Sequence, residues 1–188
     1  EDGRPADWRY SHSSGGACEF VVDREIRYQG EGSIRLLNAE GGAKFPRTFQ
    51  AVRLPPDTRF VLSARVRSTS GRATMQVTPA GGTWYGKRDY GTWITIPVSP
   101  DWRLIEKRFA TGPGADPIPL HIVFTLQTPN REAADLWIDD VALVIDQGQA
   151  PRGTGDMTRF TPPVDASVVL PHVDWAVNLP AATRRVLF

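Results

Sequence analysis

Polar and apolar residues alternate most cleanly between Arg59 and Arg67: Phe60, Leu62, Ala64 and Val66 share one phase, Arg59, Ser63, Arg65 and Arg67 the other, and only Val61 breaks the pattern. A strand sends successive side chains to opposite faces, so this period of two predicts a strand with one core face and one face that meets water or ligand. Similar short runs predict strands at 17–23, 34–37, 45–54, 73–78, 93–98, 102–109, 118–127 and 133–145. The segments between them are rich in Gly, Pro, Ser, Asp and Asn, as at Pro55-Pro56-Asp57-Thr58, and no window of helical period competes with them. About nine short strands with no helix between them predict an all-β, antiparallel sandwich of jelly-roll or Greek-key type rather than a parallel sheet. No internal repeat is present.

Two stretches stand out against this alternation. In 133–145 the β-prone Leu136, Ile138, Val141, Leu143 and Ile145 are interrupted by Asp139 and Asp140. Neighbouring strand residues diverge, so one of the two acids is expected to face inward, where a carboxylate needs hydrogen bonds, a cation or a metal. In 81–93, Trp84, Tyr85, Tyr90 and Trp93 crowd among four glycines, with Lys87, Arg88 and Asp89 between them. A loop so rich in glycine and aromatic rings is expected to contact a ligand or a partner domain, since a surface tryptophan gains little unless something covers it.

Trp102 shares a phase with Leu104 and is expected in the core, Trp137 on the second face or under a loop, and Trp8 in a structural role within the turn-rich first 20 residues. Arg65, Arg67, Gln76, His121 and Gln127 fall on the faces opposite Leu62, Val77, Ile122 and Leu126. If those faces line one concave surface, the arginines favour an acidic or heavily hydroxylated ligand; if they meet bulk water they are solubilising.

Beyond residue 146 the character changes. The run 147–155 reads as a linker, and Pro151, Pro162, Pro163, Pro171 and Pro180 break regular structure. Residues 147–188 are therefore expected to form an extended Pro/Gly-rich linker or strap, separate from the sandwich at 1–146. The tail closes on Arg185-Val186-Leu187-Phe188, which resembles the start of a buried strand. Either the chain continues into a further domain, or Val168, Leu170 and Trp175 strap across the sandwich.

Composition narrows the function classes. With 188 residues, 40% hydrophobic and 23% charged, the chain is an ordinary globular one. A net charge of +1 gives no case for a nucleic-acid partner, although all but three of the 22 basic residues are arginine. No apolar run reaches the roughly 18 to 20 residues of a membrane span. The single cysteine, Cys18, excludes an internal disulfide. The chain opens on Glu1-Asp2 without a signal peptide or an initiating methionine, as expected of a mature or trimmed product. Signs of catalysis are missing: Asp139 and Asp140 diverge too far to act as a glycosidase pair, His12, His121 and His172 are scattered, and no G-x-S-x-G or phosphate-binding loop occurs. The chain itself is expected to be non-catalytic.

Five motifs in order carry a resemblance: Trp8 after a Gly/Pro loop, GEGSIRL at 30–36, LPPDTRFVLSARVRS at 54–68, DWRLIEKRF at 101–109 and DLWIDDVAL at 135–143. Together they resemble the jelly-roll carbohydrate-binding modules of the family four, nine and twenty-two type, over about residues 1–146. The resemblance implies a non-catalytic glycan-binding module of a larger secreted, periplasmic or cell-surface bacterial carbohydrate-active protein, a glycoside hydrolase or polysaccharide lyase; the same fold also serves as a spacer that packs against a neighbouring catalytic domain. It implies polysaccharide or oligosaccharide partners, met by Trp84, Tyr85, Tyr90 and Trp93 with Arg65 and Gln127 as polar helpers. It further implies a structural Ca2+ held by Glu1, Glu31, Ser33 and one of Asp139 or Asp140, with Asp140 preferred.

Overall fold

A computed structural model describes residues 7–69, 72–80 and 93–146, together with the backbone of 185–187. The strands are β1 (Arg9–Ser11), β2 (Ser14–Gly15), β3 (Glu19–Asp23), β4 (Ser33–Asn38), β5 (Ala43–Lys44), β6 (Arg47–Leu54), β7 (Arg59–Ser68), β8 (Arg72–Pro79), β9 (Ile94–Ile96), β10 (Ser99–Ala110), β11 (Ile118–Gln127), β12 (Ala134–Ile145) and β13 (Arg185–Leu187). The first sheet runs β1-β6-β11-β8-β9, the second β10-β7-β12-β4-β3 with β13 added on β12, and β2 and β5 form a short ribbon. Every pairing is antiparallel. The chain is a β-sandwich, as the period-two pattern predicts. No helix among the described residues is long and apolar enough to cross a membrane.

The core lies between the sheets. Phe60, Leu62, Ala64 and Val66 of β7 are all buried and face Val52 and Leu54 of β6, Met75 and Val77 of β8 and Leu120, Ile122, Phe124 and Leu126 of β11 in one cluster. Burying an aliphatic or aromatic side chain of this size contributes about 1.5–3 kcal/mol, so these alternating positions hold the layers together. Trp8 packs on Phe124 at 5.9 Å between ring centroids, which bears out its structural role. Two short strands inside the expected opening loop were not legible: Ser14–Gly15, which pairs with β5, and Arg9–Ser11, which pairs with β6 through Arg9↔Phe49 and Ser11↔Arg47. The signal of Arg9–Ser11 is short because the strand closes an edge and needs only Tyr10 packed against the core.

Two expectations are corrected by irregular pairing. Along β12 the partners run Ile138↔Val66 and Asp139↔Arg65, then jump to Ala142↔Ser63, so one extra residue is inserted in β12. Asp140 sits in this bulge at φ 45°, a left-handed conformation that Asp tolerates better than most residues. The insertion shifts the alternation: Leu136 and Ile138 face the core before it, Val141 and Leu143 after it. Neither acid faces inward; both are half-buried at the bulge. In β10 the inward residues are Ile105, Lys107 and Phe109, while Trp102 and Leu104 lie on the outer face. Phe109 stacks on Phe60 at 5.4 Å. The buried lysine hides the inward phase, which is why the apolar pair Trp102 and Leu104 misleads.

Candidate functional site

Two broad faces point away from the core, and the cross-strand registers say which side chains share each. On the first sheet, Arg9, Phe49, Val123 and Gln76 form one row across β1, β6, β11 and β8. Ser11, Arg47, Thr125, Thr74 and Thr95 form the next, and Ala51, His121 and Thr78 a third. These side chains lie opposite the core, yet those at the centre are shielded: Val123 is 0% exposed, Thr78 4%, Thr74 and Thr125 6%, and Gln76 9%. Arg9, Ala51 and Thr95, toward the edges, are exposed. Exposure thus rises from the centre of this face to its edges, the shielded centre is polar apart from Val123, and this face is the candidate trough.

The floor is partly ordered by its own contacts. Gln127 Nε2 donates to Thr74 Oγ1 at 3.5 Å, and Arg47 donates from Nε and Nη2 to Ser11 Oγ at 3.4 and 3.3 Å. Phe49 and His121 pack at 5.0 Å between ring centroids. Burial, with the Arg9 charge beside it, lowers the His121 pKa, so the ring is neutral near pH 7, with one N–H and one bare ring nitrogen. Aromatic surface beside hydroxyl, amide and imidazole groups suits a ligand that is apolar on one side and hydroxylated at its rim. Phe49, Arg47, Thr74 and Thr125 were not singled out in the sequence, although the alternation in 45–54 and 118–127 places all but Thr74 in the outward phase.

Of the residues expected to bind ligand, Gln127 lies on this face and Arg65 on the outer face of the opposite sheet, so the structure does not bring the two together. Gln76 and His121 share the face of Gln127, and Arg67 that of Arg65. Trp93, 56% exposed, stands just ahead of β9 at the edge of the first sheet. Trp84, Tyr85 and Tyr90 lie outside the described residues.

The second outer face is built differently. Trp137, 3% exposed, is centred between two guanidinium groups, Arg35 at 4.9 Å and Arg67 at 5.2 Å from its ring centroid. Its indole N–H donates to Asp23 Oδ2 at 2.8 Å. Asp23 Oδ1 accepts from the amides of Glu25 and Ile26, and Asp139 Oδ2 from those of Tyr28 and Gln29, so two carboxylates clamp the loop at 24–32 from both sides. Burial alone would raise the Asp23 carboxyl; the Ile26 amide, the Trp137 indole, the Glu25 amide and Arg35 outweigh it and hold it below its usual value. Burial raises the Asp135 carboxyl instead, only partly opposed by Arg35.

Three of the expected calcium ligands lie in or beside the loop at 24–32: Glu31 within it, Ser33 at the start of β4 and Asp140 in the bulge of β12. The β4–β12 ladder ends at Ile34↔Ile138, which brings Ser33 next to the Asp139-Asp140 bulge. Ser33 is buried and donates to the Ile26 carbonyl at 2.5 Å, keeping its oxygen lone pairs. Asp139 is committed to backbone amides, including that of Asp140 at 2.7 Å. Among the described residues no three acid, His or Cys side chains converge on one point. Glu31, Ser33 and Asp140 would thus need main-chain oxygens and Glu1, which lies outside the described residues, to complete a calcium shell.

No protein-family model matches the chain, and no curated protein does. Among solved structures, one described as "CBM4 structure and function" is similar at TM-score 0.55 and 19% identity over 75% of this chain and 96% of its own. The module TmCBM61, solved in complex with β-1,4-galactotriose, is similar at TM-score 0.54 and 18% identity, covering 75% and 90% of the two chains. The enzymatically active domain of tailspike protein 4 of Bacteriophage CBA120 matches at TM-score 0.57 and 16% identity over 74% of this chain, which spans only 19% of that one. At these identities the likeness is one of fold: the chain is a jelly-roll β-sandwich, a fold that carbohydrate-binding modules also have.

Proposed function

We propose that this chain is a non-catalytic glycan-binding module and that it takes saccharide along the trough on the first sheet. The observation that carries the reading is the row of shielded polar side chains on a face turned away from the core, with Thr74, Gln76, Thr78 and Thr125 as the floor and Phe49, His121 and Gln127 half-exposed beside it. A sugar ring offers an apolar face to stack and hydroxyls that both donate and accept, which amide, hydroxyl and neutral imidazole groups match. The fold supports this reading, since a similar module was solved with β-1,4-galactotriose. Trp84, Tyr85, Tyr90 and Trp93 act in it as stacking rings contributed by the segment that joins β8 to β9.

The module belongs, in this reading, to a larger secreted or cell-surface carbohydrate-active protein. A place within a longer chain is supported by two larger similar structures: the phage tailspike, and an arabinofuranosidase of which this chain spans 23%. Calcium at the Glu31, Ser33 and Asp140 corner is part of the proposal as a structural ion only. Affinity electrophoresis and calorimetry against a panel of neutral and acidic polysaccharides test the glycan reading. Binding of at least one neutral member, weakened in Gln127→Ala and Trp84→Ala, is expected; failure of every member to bind would overturn it.

A further inference from the structure

On the outer face of the second sheet two cations, Arg65 and Arg67, have no ion-pair partner among the described residues. Arg65 and Arg67 occupy outward positions two residues apart on β7, so their backbone positions are about 7 Å apart. Arg65 stacks over Tyr28 at 4.5 Å and Arg67 over Trp137 at 5.2 Å from the ring centroid. Neither has a carboxylate within ion-pair distance among the described residues, and the Nε of each is buried without a hydrogen-bond partner. The acids nearby are already committed. Asp23 and Asp135 each pair with Arg35 at 3.6 Å, and Asp139, directly across the ladder from Arg65, accepts from the amides of Tyr28, Gln29 and Asp140. Glu106 lies one row further along, across from Ser63.

A guanidinium stacked on a ring uses its face for the cation–π contact and leaves its in-plane N–H groups free to grip an anion. Stacking also fixes the fork in advance, so less side-chain freedom is lost when an anion binds. The rim is suited to sugar: Tyr28 is 42% exposed, its ring meets Trp102 edge-on at 6.1 Å, and Leu104, across from Arg65, is 48% exposed.

We propose that this face is a second binding site, separate from the trough, for the carboxylates of a uronate-containing glycan, with Arg65 and Arg67 gripping the anion and Tyr28 and Trp102 flanking the sugar. A planar carboxylate matches the planar fork in two parallel hydrogen bonds, which favours uronate over a tetrahedral sulfate ester. The full 188-residue chain is titrated by calorimetry with polygalacturonate and with a neutral galactan. Expected are binding of polygalacturonate that weakens as salt rises, a loss of at least tenfold in the Arg65→Gln/Arg67→Gln double variant, and only partial recovery in Arg65→Lys/Arg67→Lys. Galactan binding stays unchanged in both double variants, while Gln127→Ala spares polygalacturonate. A parent that does not bind polygalacturonate, a glutamine double variant that binds it like the parent, or full recovery by lysine would overturn the proposal. So would equally tight binding of poly-glutamate or of a sulfated glycan. A parent that binds polygalacturonate and no neutral polysaccharide of the panel would overturn the trough reading and leave this one standing.

Discussion

Trp137 on β12 donates its indole N–H to Asp23 on β3 at 2.8 Å, reaching over the intervening strand β4. The bond ties the centre of the second sheet to its edge, and the other Asp23 oxygen fixes the loop that follows. Asp23 is therefore a structural hub beside the outer face.

Replacing Asp23 with Asn removes a charge-assisted acceptor for three N–H groups and is expected to cost about 2 kcal/mol at pH 7, read from denaturant unfolding. Because its folded pKa lies below its unfolded one, Asp23 contributes stability above the unfolded value of about 3.9, and that contribution is lost as pH falls through the folded pKa. The variant should thus differ from the parent most at neutral pH and least in acid. Asp135 has the opposite sign: its folded pKa is raised, so ionising it costs stability as pH climbs past the unfolded value. Asp135→Asn should be less destabilising than Asp23→Asn at pH 7.

At the bulge, Asp140→Gly and Asp140→Ala both remove the carboxylate and differ in tolerance of φ 45°. The glycine variant should be more stable by about 1 kcal/mol, since a Cβ is penalised in left-handed backbone. Equal melting temperatures would mean that the bulge relaxes.

In the trough, Phe49→Ala removes the ring packed on His121 and should weaken neutral-glycan affinity about tenfold, which corresponds to ~1.4 kcal/mol, with the fold retained because Phe49 lies outside the core cluster. Calorimetry beside a melting curve separates the two effects.

Calcium should raise the melting temperature of the parent and leave that of Asp140→Gly unchanged, because a bound ion stabilises the folded state by mass action. A chelator that shifts neither protein would remove the metal from the proposal.

The strands β7 and β11 were legible because Phe60, Leu62, Ala64 and Val66 in one, and Leu120, Ile122, Phe124 and Leu126 in the other, form apolar inward phases, with Val61 and Val123 as outward exceptions. The order of the motifs likewise gave the sandwich. The trough was half legible: Gln76, His121 and Gln127 could be marked as outward, but nothing in the alternation tells which sheet a strand joins. Arg65 and Gln127 look equivalent along the chain and end on opposite sides of the molecule.

The sequence by itself determined the positions of the long strands, the core phases of β7 and β11 and the fold class, because these follow from local period and burial. Only the tertiary structure decided what the two aspartates do. A single inserted residue, stabilised by left-handed backbone at Asp140, moves both acids off the inward phase and commits Asp139 to amides more than a hundred positions earlier in the chain. Period-two reasoning assumes an unbroken ladder, and where the ladder breaks depends on its neighbours. For the same reason Arg65 and Arg67, which lack an ion-pair partner among the described residues, emerge only once the strands beside β7 are known and their acids are seen to be bonded elsewhere.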